Sequence, residues 1–235
     1  MTPRKLNPPV LLYYITDRLA FPGDEPTRRR RLLDKISEAA SHGIDYIQLR
    51  EKDLSTRDLE SLAREAVIAI REAQKLATDL QPLATALLIN SRIDVALAVD
   101  ADGVHLRSTD VSPQEARAVW TKCGASAPAR ATSSRDPIIA ISCHSPAEIA
   151  QAAASAATFA VFAPVFEKKG TSPAGLNALR QASATSIPVL ALGGITPANA
   201  ESCLAAGAAG IAAIRLFQEN NIADVVQRLR LPAEE

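Results

Sequence analysis

Apolar runs recur along the whole chain and alternate with amphipathic segments. Eight short runs have the pattern of buried strands, and they lie at residues 10–16, 44–50, 84–90, 102–106, 138–142, 158–163, 187–192 and 210–214. Between them, apolar residues return at helical spacing, as in the stripe formed by Leu59, Leu62, Ala66, Ile70 and Ala73. Strands that alternate with helices form parallel sheets with right-handed crossovers. The pattern therefore predicts consecutive β–α units.

Capping residues mark where several of the helices begin. Ser55, Ser91, Ser112 and Ser145 are each followed three residues later by an acidic residue, which is the pattern of an N-cap with a carboxylate in the first helical turn. Further helices are predicted at residues 27–41, 176–184 and 222–229. The segment 123–137 is rich in Ala, Ser, Arg and Pro, so we predict a surface loop there.

Eight β–α units in 235 residues predict an α/β fold, a single (β/α)8 TIM barrel with parallel strands. No linker interrupts the series, so residues 1–235 are predicted to form one domain. The alternative is an open doubly wound sheet. That fold usually has fewer units and carries a glycine fingerprint after its first strand, and this sequence has no such fingerprint there.

Composition excludes several classes of function. The 26 basic and 26 acidic residues balance, whereas proteins that bind nucleic acid or membrane surfaces usually have a basic excess. The three cysteines are widely spaced and suggest neither a disulfide framework nor a zinc site. No stretch has the length and apolarity of a membrane span or a signal sequence. We therefore expect a cytoplasmic protein that acts on small molecules.

Polar residues gather where the predicted strands end, which is where (β/α)8 barrels carry their active sites. The basic ones among them are Arg50, Lys52, Arg92, Lys168 and Lys169, and few carboxylates accompany them. A basic mouth of this kind predicts a substrate with more than one phosphate group.

Gln48 and Arg50 lie two residues apart on the second predicted strand. Side chains alternate along a strand, so both point to the same face. A glutamine and an arginine that point into a barrel are costly unless they meet a ligand or polar partners. We predict ligand contact; the alternative is an internal polar network with Glu51 or Asn90.

Gly193 and Gly194 follow the seventh strand, and Thr196-Pro197 then has the pattern of a helix start. Glycines let the backbone approach a ligand closely, and the first amides of a helix are unpaired and attract anions. The segment is therefore predicted to bind phosphate, at the position that recurs for phosphate in this architecture. The alternative is that the two glycines only form a tight turn.

Short motifs in the strands and loops together resemble one family. They occur in family order over nearly the whole chain: Tyr14-Ile-Thr-Asp17, Gln48-Leu-Arg-Glu-Lys52, Asn90-Ser-Arg92, Ala101-Asp-Gly-Val-His-Leu106, Ser142-Cys-His-Ser145, Ala163-Pro-Val-Phe166, Ile187-Pro-Val-Leu-Ala-Leu-Gly-Gly-Ile195 and Ala206-Gly-Ala-Ala-Gly-Ile-Ala212. The chain resembles the thiamine phosphate synthase superfamily, which also contains the thiazole tautomerases.

The resemblance implies a transferase that joins hydroxymethylpyrimidine pyrophosphate to thiazole phosphate and releases pyrophosphate. It also implies Mg²⁺ as cofactor and a homodimer. By match to the family motifs, Gln48 and Ser142 face the pyrimidine, and Gly193-Gly194 takes the thiazole phosphate. The remaining implied ligand contacts are Arg50, Lys52 and Asn90 for the pyrophosphate, and Asp110 for Mg²⁺. Lys168 and Lys169 are predicted to bind substrate because they belong to the basic mouth.

The sequence departs from the family pattern around the implied metal site. Ser91 stands where the synthases have a second metal-binding aspartate, and its simplest role is to cap a helix. Arg107-Ser108 replaces a Gly-Gln pair before Asp110, and Lys168-Lys169 are displaced from the family spacing. Mg²⁺ would then depend on Asp110, waters and the pyrophosphate itself.

Two alternatives to the synthase remain open from the sequence. A thiazole tautomerase needs only a proton-transfer base, and His144 matches the family position of that base. A structural histidine beside the Ser145 cap is the plain alternative for His144. The third hypothesis is a non-catalytic barrel that binds a phosphate of the thiamine pathway. Retention of Gln48 and Lys52 favours the synthase, with Arg50, Ser142 and His144 as the catalytic candidates.

Overall fold

Eight parallel strands close into a barrel in the computed structural model, which describes residues 9–76, 84–124, 136–167 and 172–230. Each strand pairs with the next one along the chain, and the last pairs with the first. The strands are β1 (Leu11–Ile15), β2 (Tyr46–Leu49), β3 (Ala86–Asn90), β4 (Gly103–Leu106), β5 (Ile138–Cys143), β6 (Phe159–Phe162), β7 (Val189–Ala191) and β8 (Gly210–Ala213). The predicted (β/α)8 fold is confirmed.

Helices surround the barrel and connect successive strands. They are α1 (Glu25–Ser41), α2 (Thr56–Leu76), α3 (Ile93–Ala98), α4 (Pro113–Gly124), α5 (Pro146–Ala154), α6 (Gly175–Ser183), α7 (Ala200–Ala205), α8 (Arg215–Gln218) and α9 (Ile222–Arg230). The sequence did not predict α8, nor the 3₁₀ turn Arg18–Ala20 after β1. Both are too short to show a helical period.

Two predicted boundaries were wrong. Cys123 and Gly124 complete α4 instead of beginning a loop, and residues 125–135 lie outside the described residues. The helix after β7 begins at Ala200 and not at Thr196-Pro197, because Asn199 closes a turn first. Its Oδ1 accepts the Thr196 amide at 2.8 Å, and its Nδ2 donates to the Gly194 carbonyl at 3.0 Å.

Three of the four predicted helix caps are confirmed, and one was wrong. The hydroxyls of Ser55, Ser112 and Ser145 accept the amide three residues on, each at 3.2 Å. Ser91 does not cap α3: its backbone is left-handed, with φ of 58°, and its hydroxyl donates to Asp110 Oδ2 at 2.6 Å. At Ser91, a hydrogen bond to the distant Asp110 therefore takes the place of the expected helix cap.

The barrel interior changes from apolar to polar toward the carboxyl ends of the strands. Tyr13 and Phe159 pack edge to face in the interior with a centroid distance of 5.4 Å. Along β2, β3 and β5, an inward apolar residue is followed two positions later by a polar one, in the pairs Tyr46 and Gln48, Leu88 and Asn90, and Ala140 and Ser142. This change places the polar mouth of the barrel above a packed core.

Cys143 and Cys203 are buried free thiols, and burial raises the pKa of Cys143 to about 12 and that of Cys203 to about 11. Both are therefore protonated and unreactive at neutral pH. In the part of the chain that the structure describes, no helix is both long and apolar enough to span a membrane.

Candidate active site at the carboxyl ends of the strands

A row of hydrogen-bonded side chains crosses the ends of β2, β3 and β4. Gln48 Nε2 donates to Asn90 Oδ1 at 2.8 Å. Asn90 Nδ2 donates to Ser91 Oγ at 3.3 Å, and Ser91 Oγ donates to Asp110 Oδ2 at 2.6 Å. The internal network between Gln48 and Asn90 is therefore present. It uses one N–H of the Gln48 side-chain amide, so the second N–H and the carbonyl oxygen of Gln48 can still contact a ligand.

Asp110 ends this row, and Arg107 and Ser91 together surround its carboxylate. Oδ1 accepts Arg107 Nε at 3.1 Å and Nη2 at 2.9 Å. Oδ2 accepts the Arg107 amide at 2.8 Å in addition to the Ser91 hydroxyl. Burial alone would raise the pKa of Asp110, but these hydrogen bonds outweigh it and hold the pKa below its ordinary value.

The donor set around Asp110 does not fit a Mg²⁺ ion. Mg²⁺ prefers octahedral oxygen ligands and usually takes one or two free carboxylates. Here one carboxylate is present, four hydrogen bonds engage its two oxygens, and two of these hydrogen bonds come from a cationic guanidinium. Within the described residues, no group of three or more His, Cys, Asp or Glu side chains could hold a metal ion.

Arg50 follows the last residue of β2 and is half-buried at the mouth. Its amide donates to Thr16 Oγ1 at 3.0 Å. Its positive charge adds to burial, the larger cause, in lowering the pKa of His105. Among the described residues no carboxylate forms an ion pair with Arg50. Lys52 lies exposed two residues further on, and Lys168 and Lys169 lie outside the described residues.

A buried ion pair fixes the loop that carries Arg50. The side chains of Arg18 and Glu51 are 4% and 1% exposed, and Arg18 Nη1 lies 3.2 Å from Glu51 Oε2. Thr16 Oγ1 donates to Glu51 Oε1 at 2.6 Å while it accepts the Arg50 amide. Asp53 adds a second pair to the same guanidinium at 2.6 Å. The loops after β1 and β2 are therefore joined directly beneath Arg50.

A second buried chain of hydrogen bonds runs through the barrel to Ser142. The Tyr13 hydroxyl lies 3.0 Å from His105 Nδ1, and His105 Nε2 lies 2.7 Å from Ser142 Oγ. Burial, assisted by the charge of Arg50 and opposed by that of Asp110, lowers the pKa of His105 to about 3. A neutral imidazole donates from one nitrogen and accepts at the other, so His105 holds Ser142 from below in one fixed orientation.

The buried neutral His105 predicts a loss of stability in weak acid. The unfolded histidine binds a proton below about pH 6.5, whereas the folded one resists it down to about pH 3. The unfolded state therefore binds more protons in this window, and stability must fall as the pH falls. We expect the free energy of unfolding to decrease by about 3 kcal/mol between pH 7 and pH 4 from this group.

Urea unfolding at several pH values measures that dependence. The His105→Gln variant keeps a group that can hydrogen-bond to Tyr13 and Ser142 but does not titrate. Its unfolding free energy should change less between pH 7 and pH 5 than that of the unmodified protein. Equal slopes would show that His105 does not carry the effect.

His144 is exposed after β5 and is fixed by backbone contacts. Its Nδ1 lies 2.7 Å from the Ala163 carbonyl, so Nδ1 carries the proton and donates. Its amide donates to the Glu148 carboxylate at 2.6 Å, beside the Ser145 cap. These contacts are the ones expected of a structural histidine beside the Ser145 cap. The catalytic role of His144 stays a prediction.

Gly193 and Gly194 pack tightly against the loop after β6. Both have positive φ, of 101° and 65°. A Cβ on Gly193 would lie 2.8 Å from Pro164, and one on Gly194 would lie 2.8 Å from Phe166. Packing and backbone conformation alone therefore require glycine at both positions. The presence of two glycines is thus not by itself evidence of a phosphate site.

The short helix α8 follows β8 directly, beside the glycine loop of the neighbouring strand β7. The amides of Arg215 and Leu216 lie in its first turn, where a helix has no internal acceptors. Gln218 fixes α8 to the loop after β1, because its Nε2 donates to the Asp17 carbonyl at 2.8 Å and its Oε1 accepts from the Tyr14 hydroxyl at 2.9 Å. In (β/α)8 barrels a short extra helix at this point frequently binds phosphate.

Several residues of the mouth had no clear signal in the sequence. Arg18 follows the first apolar run without any pattern that marks it as buried, yet it forms ion pairs with three carboxylates. Alternation of side chains along β4 could have placed His105 inside the barrel, but it could not have shown the contact with Ser142. Arg107 was noted only as a departure from the family pattern. Glu51 was considered only as a polar partner for Gln48 or Arg50, and the structure pairs it with Arg18.

A cavity of about 400 Å³ lies away from the mouth, at the amino ends of β3, β4 and β5. The helices α2 and α4 flank it, and its lining includes Val67, Thr85, Asp102 and Trp120. The amino ends of barrel strands serve stability in this fold, while catalysis takes place at the carboxyl ends. We therefore do not assign the cavity to the active site.

The chain is a (β/α)8 barrel whose polar groups lie at the carboxyl ends of the strands, where enzymes of this fold have their active sites. A family model described as thiamine monophosphate synthase matches residues 12–217. The chain belongs to that family. It is 37% identical over 225 residues to the thiamine-phosphate synthase of Methanoculleus marisnigri, with 93% of each protein covered.

Two further comparisons agree with this assignment. The chain is 34% identical over 215 residues to the thiamine-phosphate synthase of Clostridium novyi, with 89% of this chain and 91% of that protein covered. A solved structure of thiamine phosphate pyrophosphorylase from Pyrococcus furiosus superposes with a TM-score of 0.71 at 28% identity, and 94% of each chain is covered.

Proposed function

We infer that this chain is a thiamine-phosphate synthase, a transferase that joins hydroxymethylpyrimidine pyrophosphate to thiazole phosphate and releases pyrophosphate. The observation that carries the proposal is that one mouth brings together two groups of candidate anion-binding residues. Arg50 and the Gln48–Asn90 row lie on one side. The Gly193-Gly194 loop and the first turn of α8 lie on the other. Family membership supports it independently.

The reaction exchanges one bond for another. The bond between the pyrimidine methylene and the diphosphate oxygen breaks, and the diphosphate leaves with the electron pair. The thiazole nitrogen donates its lone pair to the pyrimidine methylene cation, and a carbon–nitrogen bond forms. No proton needs to move in this exchange. The protein therefore acts by holding both substrates in line and by stabilising negative charge on the leaving diphosphate.

Each side of the mouth has a separate task in this account. Arg50 and Asn90 bind the diphosphate, and Lys52 adds positive charge near it. The same task for Lys168 and Lys169, which lie outside the described residues, stays a prediction from the sequence. Gly193, Gly194 and the α8 amides bind the thiazole phosphate through backbone N–H groups. Fixing both anions sets the distance between the thiazole nitrogen and the pyrimidine methylene.

The buried chain from Tyr13 to Ser142 presents the pyrimidine side of the site. His105 Nε2 holds Ser142 Oγ at 2.7 Å, so the hydroxyl meets the pyrimidine without having to reorient. Gln48 is held in the same way by Asn90. Such preorganised dipoles stabilise a developing cation without reorganisation during the reaction.

The relatives reported above favour the synthase over the tautomerase and the non-catalytic barrel, since each is named for synthase activity. Enzymes of this family are Mg²⁺-dependent in general. In this chain the residues at Asp110 do not fit the ion. The single domain and the homodimer stay predictions.

Product formation tests the proposed function. The purified protein is incubated with both substrates, with and without Mg²⁺, and separately with the unaromatised thiazole tautomer. We expect thiamine phosphate and pyrophosphate in equal amounts, only when both synthase substrates are present. Absence of thiamine phosphate above background in both metal conditions would exclude the synthase, and aromatised thiazole in the second assay would identify a tautomerase.

A further inference from the structure

Arg107 lies at the end of β4, directly over the carboxylate that the family resemblance assigns to a metal. Its Nε and Nη2 both donate to Asp110 Oδ1, and its backbone amide donates to Oδ2. The Asp110 amide donates back to the Arg107 carbonyl at 3.0 Å, which closes the turn. Arg107 is therefore held by backbone and side chain at the point where the cation would be expected.

Two residues of this chain create that arrangement together. Ser91 supplies a neutral hydroxyl to Asp110, in place of the second carboxylate that the family pattern has there. Arg107 supplies one fixed positive charge beside the single remaining negative charge. A second cation at the same carboxylate would be repelled by the guanidinium at close range. The local charge is balanced by protein groups alone.

The guanidinium keeps groups that can bind an anion. Arg107 uses two of its five side-chain N–H donors on Asp110, and its side chain is 57% exposed. Asp110, by contrast, is only 13% exposed and is joined through Ser91 to Asn90 and Gln48. The free edge of the guanidinium therefore adjoins the side of the mouth where we place the diphosphate.

We propose that Arg107 binds the diphosphate of the pyrimidine substrate directly and takes over the charge-neutralising task that a metal ion has in the family. The inference rests on the proposed function for the identity of the substrate. Arginine suits the task because its planar fork pairs with two phosphate oxygens at once. It follows that binding of diphosphate does not require a divalent metal.

The plain alternative is that Arg107 only closes the turn that ends at Asp110. An exposed ion pair three residues apart contributes little to stability, so a stability measurement would not separate the two readings. Binding of a diphosphate does separate them, because a residue that only closes the turn does not touch the anion.

Calorimetry with inorganic pyrophosphate in the presence of EDTA is the direct test. We expect the unmodified protein to bind it, and the Arg107→Ala variant to bind it about tenfold or more weakly, as expected for loss of a charge-assisted pair. Arg64→Ala is the matched control, since Arg64 forms an exposed ion pair with Glu60 on α2, at 2.6 Å. That control should bind as the unmodified protein does.

Two results would overturn the proposal. The first is an Arg107→Ala variant that binds pyrophosphate as tightly as the Arg64→Ala control. The second is an unmodified protein that binds pyrophosphate only after Mg²⁺ is added. Thermal unfolding of both variants confirms that they remain folded.

The synthase assay, run with EDTA and with Mg²⁺, distinguishes an error in the role of Arg107 from an error in the proposed function. Thiamine phosphate formation in EDTA within about threefold of that in Mg²⁺ agrees with the proposal, and a strict need for Mg²⁺ contradicts it. If neither condition gives product, the proposed function is wrong, and pyrophosphate binding still decides whether Arg107 binds diphosphate.

A double variant that restores the family residues should make pyrophosphate binding depend on Mg²⁺. Ser91→Asp combined with Arg107→Gly restores two carboxylates and removes the guanidinium. We expect this protein to bind pyrophosphate at least tenfold more tightly with Mg²⁺ than in EDTA. Equal binding in the two conditions would contradict the proposal that Arg107 and Ser91 determine the metal preference.

Discussion

Arg50→Ala is expected to lower the turnover of thiamine phosphate formation by roughly 10²–10³-fold, the loss that follows removal of one group stabilising developing charge in an active site. Arg50 lies half-buried at the end of β2 with no carboxylate partner among the described residues. Its charge contributes, after burial, to the lowered pKa of His105. A cation held there without a counter-charge is costly, and the diphosphate is the counter-charge that the account assigns to it.

Steady-state kinetics with both substrates measures the effect. Arg50→Lys is the informative second variant, because it keeps the charge but loses the bidentate fork, and it should recover only part of the rate. Arg64→Ala on α2 controls for loss of a surface arginine and should turn over normally. Turnover of Arg50→Ala within a few fold of the unmodified protein would mean that the diphosphate lies elsewhere.

Arg18→Met is expected to reduce the free energy of unfolding by about 3 kcal/mol, because removal of one partner leaves a buried charge uncompensated. The Glu51 side chain that it leaves behind is 1% exposed. Burial already raises the pKa of Glu51, although hydrogen bonds from Thr16 and Arg18 oppose the shift. Without Arg18, the folded protein will resist ionisation of Glu51 more strongly still.

The pH dependence of that loss identifies its cause. The unfolded chain ionises Glu51 near pH 4.3, roughly the ordinary value for a glutamate, whereas the folded variant holds its proton to higher pH. The loss in Arg18→Met should therefore grow as the pH rises from about 5 to 8. Denaturant unfolding at both values measures it, and a loss independent of pH would place the cause in packing and not in Glu51.

Two further variants complete the comparison. Arg18→Met combined with Glu51→Gln removes the buried charge as well as its partner and should be more stable at pH 8 than Arg18→Met alone. Arg71→Ala is the control, since Arg71 and Asp100 form an exposed pair at 3.3 Å, and its loss should stay below about 1 kcal/mol.

The order of strands and helices could be predicted because local pattern and tertiary structure agree over most of the chain. The alternation on β2 correctly placed Gln48 toward the barrel interior, since the residue is 2% exposed and bonded across to β3. The caps at Ser112 and Ser145 were equally readable, because each is satisfied within four residues. Patterns of this kind depend only on the chain nearby.

The parts that could not be predicted depend on contacts distant in sequence. Ser91 has the pattern of a cap, but Asp110, nineteen residues on, takes its hydroxyl. Arg18 is buried only because Glu51 and Asp53 arrive from the next β–α unit. The helix α8 is too short for any period, and Gln218 fixes it to the opposite end of the chain.

The glycine pair shows how structure changes the weight of a sequence signal. Gly193 and Gly194 were predicted to bind phosphate partly because glycine leaves room for a ligand. The structure gives the two glycines another reason to be glycine, the close packing against Pro164 and Phe166. The phosphate prediction now depends on the neighbouring first turn of α8 and on position in the barrel.

A crystal structure with thiamine phosphate and inorganic pyrophosphate bound would show whether one mouth holds two anions on opposite sides. We predict that the pyrophosphate lies beside Arg50 and Asn90, and that the phosphate of thiamine phosphate lies beside Gly194 and the Leu216 amide. Pyrophosphate away from Arg50, or either ligand in the cavity at the amino ends of β3 to β5, would contradict it.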